Sequence, residues 1–432
     1  MGVVVPGPVV AERLHDVLLR LFGLEAPVRI HAWDGSVAGP ADAPVVRVHS
    51  RRAVRRLLWR PDELGLARSF VAGEVDVDGP ILPALDQLAP FGRSIGRQPE
   101  LTAADRSELM RAAVYLGAVG PAPKPPAEEI TGAERRHALG RDKELSGAHD
   151  TPVSTGLLAR VFGDTLVPSA GYWTTPAATL DDAQRAALDL ACRKLGLTEG
   201  MRVLDVGCAW GTFLLHAAER YGVSGTGITS SAEQAEIATK RAFDAGVAAR
   251  VEFRVADWRD LEVDPYDAIT ANGVADYVGE GRLADQARRL CGFLRPGGRL
   301  LLHQISRRGE PLARERSFLD AYVFPGAELL TLGRIVDILE DAGLEVRDLE
   351  AMREHYARTL RTWVTNLEGA WEPWLRQTSP GRARVWLLYL AVSALAFENA
   401  RIAAHQVLAV RTHTDGRAAL PLDRSEWHLG MP

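Results

Sequence analysis

Residues 203–229 read VLDVGCAWGTFLLHAAERYGVSGTGIT. An apolar run, VLDV, enters a glycine-marked turn. The run after it, GTFLLHAAERYG, carries helical periodicity and closes on Gly222. A second apolar run, VSGTGIT, follows. Strand, turn, helix and strand in so short a span form a βαβ unit, and such units build doubly wound parallel sheets. Ligands of that architecture sit at the carboxyl ends of the strands, so the residues just after each strand deserve scrutiny. The first such turn is Asp205-Val-Gly207-Cys-Ala-Trp-Gly211. A pyrophosphate reader needs G-x-G-x-x-G. Here the spacing is G-x-x-x-G, and Ala209 stands where a G-x-G-x-G turn has its second glycine. No GKS or GKT follows, which excludes a Walker loop. An acid before a turn without phosphate signals fits a cationic nucleotide, S-adenosylmethionine. The competing reading is a tight strand-to-helix turn of any α/β domain.

Working outward, the alternation continues. TLDDAQRAALDLACRKLGL reads as a helix with Thr179 as N-cap, and SAEQAEIATKRAFDAG as a helix between a serine cap and a terminal glycine. VEFRVAD and YDAITANG read as strands, RLADQARRLCGFL as a helix, and RPGGRLLLHQIS as a turn and strand. At the second strand's end, ITSSAEQ offers polar groups suited to ribose hydroxyls. At the third, Asp257 is an acceptor for an adenine amino group beside the aromatic Trp258; for Trp258 alone, core packing is the rival reading. The fourth strand ends at ITANGVADYVG, where a methyl group would point.

The whole chain has 432 residues, 47% hydrophobic and 25% charged, with net charge −5. That predicts a soluble globular protein of two or three domains and gives no basic field for nucleic acid. Cys192, Cys208 and Cys291 stand far apart, against structural zinc or a disulfide framework and in keeping with a reducing cytosol. The N-terminus lacks the pattern of a signal peptide. No stretch reaches the roughly 20 apolar residues of a membrane span, so membrane contact would be peripheral. Residues 1–118 mix helix-like AERLHDVLLRLFGL with strand-like APVVRVHS and predict a smaller α+β domain; 119–150, opening with proline-rich VGPAPKPPAEE, read as a linker; 151–432 form the larger domain. RRAVRRLLWR, 51–60, reads either as a basic amphipathic helix for anionic lipid or as a solvated helix face against the core.

Taken together these segments resemble the cyclopropane fatty acid synthase family, which includes mycolic acid methyltransferases and enzymes making mid-chain methylene or methyl branches of the tuberculostearic type. VLDVGCAWGTF resembles the family's VLDIGCGWGG, and GTGITSSAEQ its GVTLSxEQ. NGVADYVG stands where the family has GMFEHVG. LRPGGRLLLHQIS, AYVFPGAELLTLGRI, EHYARTLRTW and LYLAVSALAFENARIAAHQVLAVR continue the likeness, and PVRIHAWDGSVAGP and LGLARSFVAGEVDVDG resemble the N-terminal domain of full-length synthases.

The resemblance implies a Rossmann-like class I S-adenosylmethionine-dependent methyltransferase domain with a smaller α+β N-terminal domain. It implies methyl transfer to the cis double bond of a phospholipid acyl chain through a carbocation, in a cytoplasmic protein associated with the inner face of the membrane. A flavin-dependent reductase that saturates a methylene product and a homo-oligomer are further implied partners. Asp205, Gly207, Trp210, Gly211, Thr229, Gln234, Asp257 and Trp258 match cofactor-binding positions, with Ser169 retained nearby. His303, Ile305 and Tyr356 match positions that help hold a bicarbonate base in cyclopropane-forming members. Asp276 stands for the family's glutamate in this pocket and Tyr277 for the adjoining histidine. The family's YSCAYF stands here as PSAGYW, Pro168–Trp173, so Ala170 replaces the cysteine; HHYDVxNxFY has become HDTPVSTGLL. These departures weaken a bicarbonate site and favour a methylene or methyl-branched product over a ring. Asp276 as a helix cap, and His303 as a satisfied core histidine, are the structural alternatives. At the level of function, the alternatives are a cyclopropane synthase, a methyltransferase of a small specialised metabolite, and a non-catalytic subunit that binds cofactor or lipid.

Overall fold

The computed structural model describes residues 9–22, 27–95, 102–130, 153–262, 264–273, 279–309 and 316–424, with backbone alone for 89–95. Four short strands, β1 (Arg29–Ala32), β2 (Val37–Ala38), β3 (Val45–Val48) and β4 (Val75–Val77), form an N-terminal sheet in the order β2-β1-β3-β4. The helices Val10–Phe22 and Arg51–Trp59 close its core: Leu14, Val17 and Leu21 from the first and Val54 and Leu57 from the second are buried with Ile30.

The larger sheet holds β5 (Arg202–Val206), β6 (Ser224–Thr229), β7 (Val251–Val255), β8 (Tyr266–Asn272), β9 (Leu294–Arg307), β10 (Glu345–Ala351) and β11 (Ile402–Val410). Their order is β10-β11-β9-β8-β5-β6-β7, with β5 to β9 parallel and β11 antiparallel to both its neighbours. The predicted strands and helices of this half all form. Thr179 caps the helix Leu180–Leu195 through a reciprocal bond pair with Asp182, and Ser231 caps Ala232–Asp244. The helix Thr212–Tyr221 lies between two left-handed glycines, Gly211 (φ 76°) and Gly222 (φ 68°). Gly211 tolerates nothing larger: a Cβ there would stand 2.6 Å from the Phe253 ring and 3.0 Å from Ala238.

Alternation along β9 sorts the core. Leu300 and Leu302 face a cluster with the helices Glu280–Phe293 and Leu332–Asp341, while Leu301 faces the helices Leu180–Leu195 and Thr212–Tyr221. A third cluster caps the carboxyl ends of the strands. Helices Thr155–Phe162, Arg353–Gly369 and Pro380–Glu398 bring Phe162, Trp363, Trp386 and Phe397 over Trp210 and Ile305. Each such side chain contributes roughly 1.5–3 kcal/mol on burial, enough to hold chain-distant helices on the sheet.

Leu64, Ala67, Val71, Ile81 and Leu82, from the first 118 residues, belong to this same cap cluster. The proline-rich segment beyond them is anchored rather than loose. Arg68 grips Glu129 with two 2.7 Å bonds, Arg316 adds a third at 2.9 Å, and Arg56 donates to the Lys124 carbonyl at 2.7 Å. Glu129 is buried, so its charge requires these partners. Among the described residues no helix is long and apolar enough to cross a membrane.

Candidate active site

The turn after β5 is fastened to β6. The N–H groups of Gly207 and Cys208 both donate to the Ile228 carbonyl at 2.9 Å. Arg241 donates to the Trp210 carbonyl (2.7 Å) and the Thr212 hydroxyl (2.8 Å), and that hydroxyl donates to the Thr165 carbonyl. Ala209 takes the left-handed conformation, φ 46°, which a glycine would adopt more cheaply. Just inside the turn, Asp205 is buried and, among the described residues, no cation or donor reaches its carboxyl. Burial pushes its pKa up to about 7.

The next two strand ends carry the other predicted contacts. Thr229 donates to Gln234 Oε1 at 2.7 Å and accepts from Ser231 N–H at 3.3 Å. Asp257 accepts from Arg259 N–H (2.9 Å) and Nε (2.8 Å) on one oxygen and from Arg259 Nη2 on the other. Trp258 is buried against the β8-side core with the Arg259 guanidinium 5.7 Å from its ring. Trp210 points the other way, into the cap, 6.5 Å from Phe162.

This donor set fits S-adenosylmethionine. Asp205 is a buried acid without a counter-ion, Thr229 with Gln234 supplies hydroxyl and amide, and Asp257 supplies an acceptor. Arg241 is committed to the Trp210 carbonyl and Arg259 to Asp257.

Beyond β8 the site changes character. Ser169 is buried and donates to Asn272 Oδ1 at 3.1 Å. Gly171 N–H donates to Thr359 Oγ1 (3.0 Å), and Trp173 N–H to His355 Nδ1 (2.9 Å), lacing the 168–173 segment to the helix Arg353–Gly369. Tyr172 stacks on His355. His303 pairs in register with Asn272 on β8 and Gln406 on β11. It is buried, its Nε2 has no partner among the described residues, and its ring meets Tyr356 edge-on at 6.0 Å. Burial, then His405 and Lys194, lowers its pKa to about 4, so it is neutral at pH 7. Tyr356 stacks on Phe397 at 4.7 Å.

The structure thus brings Ser169, His303, Ile305 and Tyr356 to one end of the sheet. Asp276 and Tyr277 lie outside the described residues. Ala170 is buried in the cap cluster and offers no donor. Among the described residues, a neutral imidazole and a phenol without a hydrogen-bonded cation form a poor seat for bicarbonate, and no step is derived through it. Asn272, His355, Thr359 and Phe397 are pocket residues that the sequence reading did not assign. Asn272 was signalled by its place at the end of β8.

The strand order with its antiparallel β11, and a buried acid before a glycine turn, define a class I S-adenosylmethionine-dependent methyltransferase. Residues 141–407 match the family model described as mycolic acid cyclopropane synthetase, and the chain belongs to that family. It is 34% identical to a probable fatty acid methyltransferase of Mycobacterium tuberculosis, across 92% of this chain and 94% of that protein. It is 28% identical to the tuberculostearic acid methyltransferase UfaA1 of the same organism, across 94% and 93%. Among solved structures, mycolic acid cyclopropane synthase CmaA1 complexed with SAH and CTAB superposes with a TM-score of 0.58 at 27% identity, covering 62% of this chain and 97% of that one. The chain is an enzyme that uses S-adenosylmethionine, in a family that modifies lipid acyl chains.

Proposed function

We propose that the acceptor is the cis double bond of an unsaturated acyl chain in a phospholipid, and that the product is a methylene-branched chain. The observation that carries this reading is the aromatic cap on the strand ends. Phe162, Trp210, Tyr356, Trp363 and Phe397 line it, and the polar groups described among them are uncharged. A π-bond acceptor calls for dry surroundings and electron-rich ring faces, because the cation it forms is quenched by water and stabilised by aromatic quadrupoles.

When bound, S-adenosylmethionine supplies an electrophilic methyl group on a sulfonium. The alkene π pair forms the new C–C bond while the S–CH3 bonding pair returns to sulfur, which leaves S-adenosylhomocysteine and a cation on the acyl chain. Asp205, Thr229 and Gln234 hold the cofactor; Tyr356 and Phe397 face the cation. A hydride shift to the cationic carbon moves the charge to the carbon that bears the new methyl group. Transfer of a proton from that methyl to the neutral Nε2 of His303, which has no partner among the described residues, then leaves an exocyclic C=CH2. Both ring closure and methylene formation remove that proton; Ala170 stands where the ring-forming members of the family carry a cysteine, and this departure supports the branched outcome. A flavin-dependent reductase would saturate the methylene. A cytoplasmic enzyme working at the inner membrane face, and a homo-oligomer, complete the proposal.

The test is incubation of purified protein with S-adenosylmethionine and oleoyl-phospholipid vesicles. Released fatty acids are then analysed by mass spectrometry after double-bond derivatisation, which separates a methylene from a ring of equal mass. A derivatisable one-carbon-longer chain is expected. A derivatisation-resistant product would assign a cyclopropane. No methylated lipid, even with a flavin reductase and NADPH, would refute the acceptor.

A further inference from the structure

The helix Arg51–Trp59 does not lie free to embed in lipid: Ala53, Val54, Arg56 and Leu57 are buried in the N-terminal core. What it leaves outside is more telling. Trp59 is 60% exposed, although its indole N–H donates to the Gly120 carbonyl at 3.0 Å. Next to it, Tyr115 at the end of the helix Ala103–Tyr115 is 55% exposed, and Val119 on the turn that follows is 57% exposed. Arg51 and Arg55 stand over this turn: a Cβ on Gly117 would lie 2.9 Å from Arg51 Nη1, and one on Gly120 2.6 Å from Arg55 Nη1. Apolar rings and guanidinium groups therefore share one face.

The charges around that face do not cancel. Glu74 is paired with Arg52 and Arg56, and Asp76 with His49 and Arg384. Among the described residues Arg51 and Arg55 have no carboxylate partner. With His49, Ser50, Arg52 and Trp33 they line a cleft of about 410 Å³. Arg52 also lines a second cleft, of about 460 Å³, that carries the basic surface on to Lys124 and Arg384. An exposed tryptophan with a satisfied N–H suits the membrane–water interface, and unpaired arginines suit anionic headgroups beside it.

We propose that the face formed by Arg51, Arg52, Arg55, Trp59, Tyr115 and Val119 docks the enzyme on an anionic phospholipid bilayer. This rests on the reading that the acceptor is a phospholipid acyl chain, and the test keeps the two apart. Full-length protein is sedimented with phosphatidylglycerol-containing vesicles and with phosphatidylcholine vesicles. Its methylation of a detergent-dispersed oleoyl phospholipid is measured in parallel. Wild type should bind the anionic vesicles preferentially, with affinity falling as salt rises. The pair Arg51→Gln and Arg55→Gln should weaken that binding at least about tenfold, and Trp59→Ala several-fold, with thermal unfolding and dispersed-substrate activity unchanged. Equal binding of wild type and the arginine pair, or equal binding to both vesicle types, would overturn the docking face. Should the pair unfold, Trp59→Ala together with Val119→Ser carries the same test. Absent methylation of dispersed lipid by wild type would count against the acceptor alone, since vesicle binding is read independently.

Discussion

The two halves of the sheet's carboxyl edge are assembled in opposite ways. At the ends of β6 and β7, functional side chains are held by near neighbours: Thr229 by Gln234, Asp257 by Arg259. At the ends of β8 and β9 the partners come from far along the chain. Ser169 meets Asn272 across 103 positions, and Gly171 meets Thr359 across 188. The first half is polar and held mainly by contacts local in sequence. The second half depends on contacts with the cap, and its surroundings are aromatic.

Substitutions that break the cofactor half should have the largest effects. Gly211→Val forces a β-branched residue into φ 76° and drives it into the Phe253 ring. The combined strain and overpacking amount to about 2–4 kcal/mol, which in a chain of this size lowers the unfolding temperature by roughly 2–7 °C. Calorimetry without cofactor reads this directly, and a melting point equal to wild type would remove the claim that this turn is sterically fixed.

Asp205 gives the next largest effect and one with a pH signature. Its native pKa of about 7 lies above the ordinary 3.8, so the native state keeps a proton that the unfolded chain has released. Its burial therefore costs stability progressively as pH rises from about 4 to 7, and that cost persists above 7. Binding of a cationic group needs the ionised form, so cofactor affinity should rise with pH through about 7. Asp205→Asn should raise the dissociation constant about 10- to 100-fold at pH 8 and flatten this pH dependence, while leaving the cofactor-free protein no less stable. Titration calorimetry at pH 6 and pH 8 decides it. An unchanged slope in the variant would place the cation elsewhere.

The same contrast explains what the sequence made legible. The βαβ unit, the capped helices and the cofactor turn depend on contacts only a few residues apart, and each leaves a local pattern: a glycine spacing, a Thr–Asp pair, an apolar period. Asp205, Thr229 and Asp257 could be picked out for that reason. His355 and Thr359 carry no such mark, because their role is set by hydrogen bonds to a loop nearly two hundred residues earlier. Trp258 shows what residue type alone leaves out: an aromatic at a strand end suggests an adenine surface, and its burial against the core is visible only in the fold. The proline-rich segment misleads in the other sense: its composition signals a tether, whereas Glu129 is clamped by arginines from two distant elements.

On the acceptor side, Tyr356→Leu removes the ring that stacks on Phe397 and meets His303. If a cation forms beside it, kcat should fall about 5- to 30-fold, the worth of about 1–2 kcal/mol of cation–π stabilisation. Cofactor affinity should stay at its wild-type value, and Tyr356→Phe should keep most of the rate. A loss of affinity in Tyr356→Leu would show that the two halves are coupled; equal loss in the Phe variant would assign the effect to the hydroxyl.

The smallest effect expected is at Ala209, where the two halves meet. Its backbone sits at φ 46°, and its methyl packs against the cap cluster. Ala209→Gly relieves about 1 kcal/mol of left-handed strain. It also gives up a methyl contact and makes the unfolded chain more flexible, by about 0.4–1 kcal/mol. These terms nearly cancel, so the melting temperature should move by no more than roughly 2 °C. A strain held at so little net cost persists because the methyl belongs to the cap while the backbone belongs to the cofactor turn. The glycine variant should therefore bind cofactor with wild-type affinity. A clear stabilisation would show that the cap contact contributes little, and that the strain is maintained for the turn alone.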